Sequence, residues 1–208
     1  SAMNHDFIYE ALPTRVIFGQ GKLQSLPQEV EKLGARKALV LSTPQQEAWA
    51  RNVAELLGSS AAGVYSNATM HTPVEVSEDA VAYAKRVGAD CVVALGGGST
   101  TGLGKAIALR TGLPQIAVPT TYAGSEMTPI LGETEKGVKT TQRQPVILPK
   151  TVIYDVDLSV TLPPALSATS GLNAMAHAVE ALYAQNRNPV TSLMAEEGIA
   201  AFARSLPT

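Results

Sequence analysis

Apolar positions along most of the chain alternate between short unbroken runs and longer stretches with helical spacing. Residues 15–19, Arg-Val-Ile-Phe-Gly, read as a strand closed by glycine. Over 20–33, Leu23, Leu26, Val30 and Leu33 recur at helical intervals, and Gly34 supplies a left-handed stop. Residues 37–41 form a continuous apolar run of the kind buried parallel strands carry. A helix is expected over 44–57, stopped at Gly58, then a weaker strand over 62–65. Residues 74–87 place Val76, Ala80, Val81, Ala84 and Val87 on one helical face, with Gly88 at the end. Residues 91–95, 115–118 and 151–154 complete the strands, and the polar stretch 133–144 reads as an exposed hairpin or loop.

Repeated strand–helix–strand units imply an α/β fold, a Rossmann-like parallel sheet with helices on both faces. Ligands of such sheets bind beyond the carboxyl ends of the strands, which directs attention to the loops leaving Leu41, Leu95 and Val118. Leu162-Pro163-Pro164 then marks a boundary. Beyond it come an alanine-rich helix over 165–185 and another over 189–204, with no strand signal. The expected organisation is a dinucleotide-binding α/β domain over 1–161 and the first helices of an incomplete all-helical domain over 162–208.

Composition narrows the function classes. Only 16% of the 208 residues are charged and 45% are hydrophobic, enough for a large core. Lys plus Arg number 16 against 18 Asp plus Glu, a net charge of -2 without the basic excess of a nucleic-acid binder. No run of about 18 uninterrupted apolar residues exists, so no membrane span is expected. Residues 1–6 lack the basic and apolar regions of a signal peptide, and Ser1-Ala2 before Met3 read as a cloning remnant. A single cysteine, Cys91, cannot form an intrachain disulfide, which fits a reducing, cytoplasmic setting.

The chemistry concentrates after Leu95, where Gly96-Gly97-Gly98-Ser99 opens a helix. Three glycines allow a sharp turn and close approach of backbone to ligand. Ser99 is placed to N-cap the helix, whose first amides and positive dipole end attract an anion, naturally a pyrophosphate. Thr101 breaks the G-x-G-x-x-G spacing from Gly96, while Ser99 and Ala106 break the Walker pattern. A tight turn without any ligand is the alternative. Residues 119–126, Pro-Thr-Thr-Tyr-Ala-Gly-Ser-Glu, come after the neighbouring strand and offer hydroxyls and amides at the same sheet end. On the helix after the double proline, Asn173 and His177 share a face at i,i+4. An Asp–His pair there would suit a divalent metal; the neutral amide of Asn173 suits it poorly, and His177 by itself also reads as a packing residue.

Taken together, Gly96-Gly97-Gly98-Ser99, Lys105, Pro119-Thr120-Thr121, Gly124-Ser125-Glu126, Leu162-Pro163-Pro164 and the stretch 170–180 resemble the iron-containing (group III) alcohol dehydrogenases in order and spacing. The opening 15–21 is similar to that family as well. Gly102 stands where the family's dehydrogenases usually have Asp, Tyr122-Ala123 shorten the loop after Pro119-Thr120-Thr121, and Asn173 replaces the first metal ligand. These departures resemble the family's metal-independent branch, the maleylacetate reductases.

The resemblance implies a dehydroquinate synthase-like fold and an active site between the two domains. It also implies NADH or NADPH as cofactor, no catalytic metal, a small dicarboxylate substrate and a homodimer. The activity implied is reduction of the C=C bond of maleylacetate to 3-oxoadipate, in aromatic-compound degradation. The cofactor-binding residues are then Gly96, Gly97, Gly98, Ser99, Thr120, Thr121, Ser42 and Lys139, and the catalytic ones His177, Asn173 and Tyr122. The stretch 41–46 carries no acid to repel a 2′-phosphate, so both dinucleotides should be tolerated. A metal-dependent alcohol, polyol or hydroxyacid dehydrogenase and a non-catalytic nucleotide-binding fragment are the other readings.

Overall fold

The computed structural model describes residues 6–11, 14–121 and 124–159. The helices expected past residue 162, the domain boundary there, and Tyr122, Asn173 and His177 lie outside them. The strands are β1 Phe7–Ala11, β2 Thr14–Gly19, β3 Ala38–Leu41, β4 Ala61–Tyr65, β5 Cys91–Gly96, β6 Gln115–Pro119, β7 Ile130–Glu135, β8 Val138–Arg143 and β9 Thr151–Asp155. The helices are α1 Leu26–Lys32, α2 Glu47–Leu57, α3 Val74–Arg86, α4 Gly98–Thr111 and the short α5 Val156–Ser159.

Seven strands form one sheet in the order β1-β2-β9-β6-β5-β3-β4, and β7-β8 form a separate hairpin. All neighbours in the large sheet are parallel except β1, which runs antiparallel to β2 from Phe7↔Phe18 to Ala11↔Thr14. Successive residues along the strands feed two cores. Val40, Val93, Leu95 and Val118 pack with Ala50, Val53 and Leu57 of α2 and Val30 of α1. Leu39, Leu41, Val92 and Ala94 pack with Ala80 and Ala84 of α3 and Leu103 and Ile107 of α4. Strands buried on both faces must be apolar throughout, which is why their runs are unbroken. Among the described residues, no helix is long and apolar enough to cross a membrane.

Three local expectations need correction. The helix expected over 20–33 is a 3₁₀ turn, Lys22–Ser25, followed by α1. Pro27 lies in the first turn of α1, and its missing N–H and its ring prevent an α-helix from running through from residue 20. The 3₁₀ turn is held by Asp155 at the end of β9, whose carboxylate accepts the amides of Gly21 and Leu23 at 3.1 and 2.8 Å. Second, the helix expected over 44–57 begins with a 3₁₀ turn, Pro44–Gln46, before α2. Third, the N-terminal segment contains a strand, β1, that patterning does not assign; its partner strand supplies the hydrogen bonds. The stops at Gly34 and Gly88 are as expected, with φ of 75° and 70°.

The polar stretch folds as the β7–β8 hairpin, joined to α4 by a charged fork. The two terminal guanidinium nitrogens of Arg110, Nη1 and Nη2, donate to Glu133 Oε1 and Oε2, the latter at 2.7 Å. Glu133 is buried, so Arg110→Ala strands a carboxylate with little water to replace its partner. A loss of about 2 kcal/mol, several degrees in Tm, is expected in thermal denaturation. A loss under about 0.5 kcal/mol would mark the fork as an ordinary surface pair.

Candidate functional site

The connection from β4 returns across β3 to place β5 on its other side. As a result α2 and α4 leave the neighbouring strands β3 and β5 on opposite faces, opening a crevice at their carboxyl ends. The loops leaving Leu41, Leu95 and Val118 all meet there.

Each of the three glycines meets a different requirement. Gly96 sits at φ 148°, and a Cβ on it would lie 2.6 Å from Thr100 Oγ1 and 2.7 Å from Gln46 Oε1. A Cβ on Gly97 would lie 2.8 Å from Thr121 Oγ1. Around Gly98, by contrast, a Cβ would meet no atom within 4 Å. Protein neighbours therefore demand the first two glycines, while the third faces open space at the first residue of α4. The cap differs from the one expected: Gly97 is the N-cap, with no side-chain cap bond, and Ser99 lies inside the first turn. The helix thus starts two residues before the predicted cap allows, Gly97 packs beside Thr121, and Ser99 is left lining a neighbouring cavity. The amides of Thr100 and Thr101 bond to the Gly97 carbonyl. Those of Gly98 and Ser99 have no intrahelical acceptor, as at any helix start, and point with the positive dipole end into the crevice.

The neighbouring strand end is braced against this turn. Thr120 donates its amide to the Gly96 carbonyl at 3.0 Å and accepts from Gln46 Nε2 at 3.1 Å on its hydroxyl. Thr121 is half-buried beside Gly97. Ser42 is fully buried at the end of β3, its hydroxyl donating to the Thr43 carbonyl at 2.9 Å. Of the side chains after β3, it is Gln46 that reaches the glycine turn.

Beside the α4 N-terminus is a polar cavity of about 370 Å³ whose lining includes Gly98, Ser99, Lys105, Lys139 and His71. No carboxylate is among its lining residues, so its field favours an anion. Lys139 reaches it from β8, across Gly132 of β7. His71 and Thr72 hold left-handed backbone, φ 69° and 47°, unusual for side-chain-bearing residues. The Thr72 carbonyl accepts from the Thr134 amide of β7 at 3.1 Å, and its hydroxyl packs against Gly102, where a Cβ would collide. Gly102 is thus what lets this left-handed loop close on α4.

Lys105 lies 1% exposed in α4, with burial pushing it down to about 8 and Glu126 partly opposing that shift. Three hydrogen-bond acceptors around its nitrogen favour the ammonium form. Burial raises Glu126, against backbone hydrogen bonds, the Tyr154 hydroxyl and Lys105, which favour its charged form.

The structure therefore brings Gly96, Gly97, Gly98, Ser99, Thr120 and Thr121 together at the crevice, sets Lys139 in the polar cavity that Gly98 and Ser99 also line, and buries Ser42 with its hydroxyl on the Thr43 carbonyl. In the sequence Gln46 and His71 read as ordinary helix-start and loop residues, because neither a left-handed backbone nor a cross-strand brace leaves a periodic signal. Among the described residues, no group of three or more His, Cys, Asp or Glu could hold a metal ion.

Comparison with known proteins agrees with this architecture. The family model described as iron-containing alcohol dehydrogenase matches residues 13–156. That for the C-terminal part of the Fe-containing alcohol dehydrogenase family matches 167–208. Maleylacetate reductase of Rhizobium sp. (strain MTP-10005) is 61% identical over 97% of this chain and 57% of its own length. Maleylacetate reductase of Burkholderia cepacia is 58% identical over 96% and 57%. The crystal structure of maleylacetate reductase from Agrobacterium tumefaciens superposes with a TM-score of 0.79 at 56% identity, covering 96% of this chain and 61% of that one. The chain thus spans less than two thirds of the length of these relatives.

Proposed function

The chain belongs to the iron-containing alcohol dehydrogenase family, and on that footing we propose that the whole protein uses NADH or NADPH to reduce the C=C bond of maleylacetate, giving 3-oxoadipate. The clear approach to Gly98 supports the dinucleotide: at this turn a glycine that no protein atom requires exposes amides at a helix N-terminus. Relatives near 60% identity named maleylacetate reductase support the substrate.

The residues present fit such a cofactor. The Gly98 and Ser99 amides would hold its diphosphate, with Thr120 and Thr121 offering contacts at the neighbouring strand end and Lys139 adding positive charge. Bound reduced nicotinamide supplies a hydride to the alkene carbon β to the ketone. This chain must then stabilise negative charge on the ketone oxygen and deliver a proton to the adjacent carbon. Hydrogen-bond donors held in place in a dry cleft contribute several kcal/mol to such a step. His177 is assigned to handle the proton or stabilise the enolate, Asn173 to orient the substrate by its amide and Tyr122 to add a hydroxyl contact, all three from the sequence. The same proposal includes a homodimer and no catalytic metal, since Asn173 offers an amide where a carboxylate ligand would stand.

The test is oxidation of NADH and NADPH by the full-length protein with maleylacetate, before and after exhaustive chelation. Turnover with both dinucleotides, unchanged by chelator, is expected. Activity that vanishes on chelation and returns with Fe²⁺ or Zn²⁺ refutes the metal-free mechanism. A preference for one dinucleotide of several orders of magnitude refutes dual use, and no turnover refutes the substrate.

A further inference from the structure

Gly98, Gly102 and Lys105 share one face of α4, at i, i+4 and i+7, and all three line the polar cavity. Lys105 is the last of them and the only charged one. Its ammonium has three protons, and the structure gives it three acceptors: Ser125 Oγ at 3.1 Å, Thr128 Oγ1 at 3.1 Å and the Ile130 carbonyl at 2.8 Å. Those acceptors span the connection from β6 to β7. The backbone bonds from Met127 to Gly124 and from Thr128 to Ser125 are local, and the Pro129 carbonyl accepts the Gln144 amide after β8, so none of these ties the connection to α4, which is left to side chains. Glu126, from the same connection, is buried and accepts the Tyr154 hydroxyl of β9 at 2.8 Å. One buried cation thus ties the connection to α4 while one buried carboxylate ties it to the sheet.

We propose that Lys105 is a positioning residue for the crevice, fixing the 124–130 connection on α4 and so setting the gap between the Gly98 and Ser99 amides and the Thr120–Thr121 strand end. A buried ammonium is a costly way to fill space; methionine would fill the same volume without desolvating a charge. What lysine adds is three directional bonds to three residues, which a connection with little regular structure cannot supply itself. The gap is narrow, because a single Cβ on Gly97 would already press on Thr121. Small displacements of the connection are therefore felt where the diphosphate is proposed to lie, an assignment on which this inference rests.

The experiment uses the full-length protein with Lys105→Met and, separately, Ser125→Ala/Thr128→Val, which keeps the cation and removes two acceptors. Hydrogen exchange should quicken at least tenfold at the Met127 and Thr128 amides in both variants, with Val92 to Leu95 unchanged. The KM for NADH should rise at least tenfold while kcat with maleylacetate stays within about threefold. Unchanged exchange in the connection overturns the proposal whatever the ligand. So does quickened exchange with an unaltered KM for NADH. If the wild-type protein binds no NADH, the cofactor assignment fails by that result alone, and the exchange data still decide whether Lys105 holds the connection. Should Lys105→Met fail to fold, the double variant carries the same readouts.

Discussion

Gly98→Ala should leave the protein as stable as before, or more so, and weaken NADH binding by about 10- to 100-fold. The two effects have separate causes. A Cβ at residue 98 meets no protein atom within 4 Å, so the fold loses nothing sterically. Gly98 is the first residue of α4, and alanine in a helix is favoured over glycine by up to about 1 kcal/mol. The same Cβ would occupy open space at the helix start, beside the amides where a diphosphate is proposed to lie. Losing one charge-assisted hydrogen bond of about 1.5–3 kcal/mol gives the expected change in Kd. Thermal denaturation and NADH fluorescence titration measure the two sides. Gly97→Ala is the informative contrast, since its Cβ presses on Thr121 and should harm both. An NADH affinity unaltered by Gly98→Ala would remove the reason for three glycines in the turn and restore the ligand-free reading of it.

His177→Ala in the full-length protein should lower kcat by about 10²- to 10⁴-fold, the usual range for a positioned acid or base. NADH affinity should stay within about twofold, because the crevice proposed to bind it is built from β3, β5, β6 and α4. Single-turnover kinetics locate the loss in the chemical step. Asn173→Asp gives the complementary measurement: it restores a carboxylate at i,i+4 from His177 and should bring in metal binding, readable by calorimetry with Zn²⁺. If His177→Ala keeps kcat within threefold, the proton is delivered by another group and the assignment of His177 falls.

The glycine turn and the strand-end threonines were legible because their chemistry is local. Three adjacent glycines after an apolar run report a backbone that must come close to something. Lys105 was visible as part of the motif but silent about its role. Its three acceptors lie 20 to 25 residues away, a separation no periodicity records. His71 was less visible still. Its left-handed backbone is held by contacts to β7 and Gly102, and histidine in a Thr/Pro loop carries no sign of that strain.

From the sequence alone came the α/β class, the strand and helix succession from β2 onward and the sheet end at which the glycine turn and the strand-end threonines meet. These are consequences of burial: strands covered on both faces must be apolar throughout, and helices covered on one face carry a 3.6-residue stripe. Only the tertiary structure decided the strand order, the edge strand β1, the Asp155 carboxylate that holds the 3₁₀ turn before α1, and the early start of α4 that put Gly97 rather than Ser99 at its cap. Each of those depends on partners distant along the chain, and a hydrogen bond or a steric limit between remote residues exists only once the sheet has brought them together.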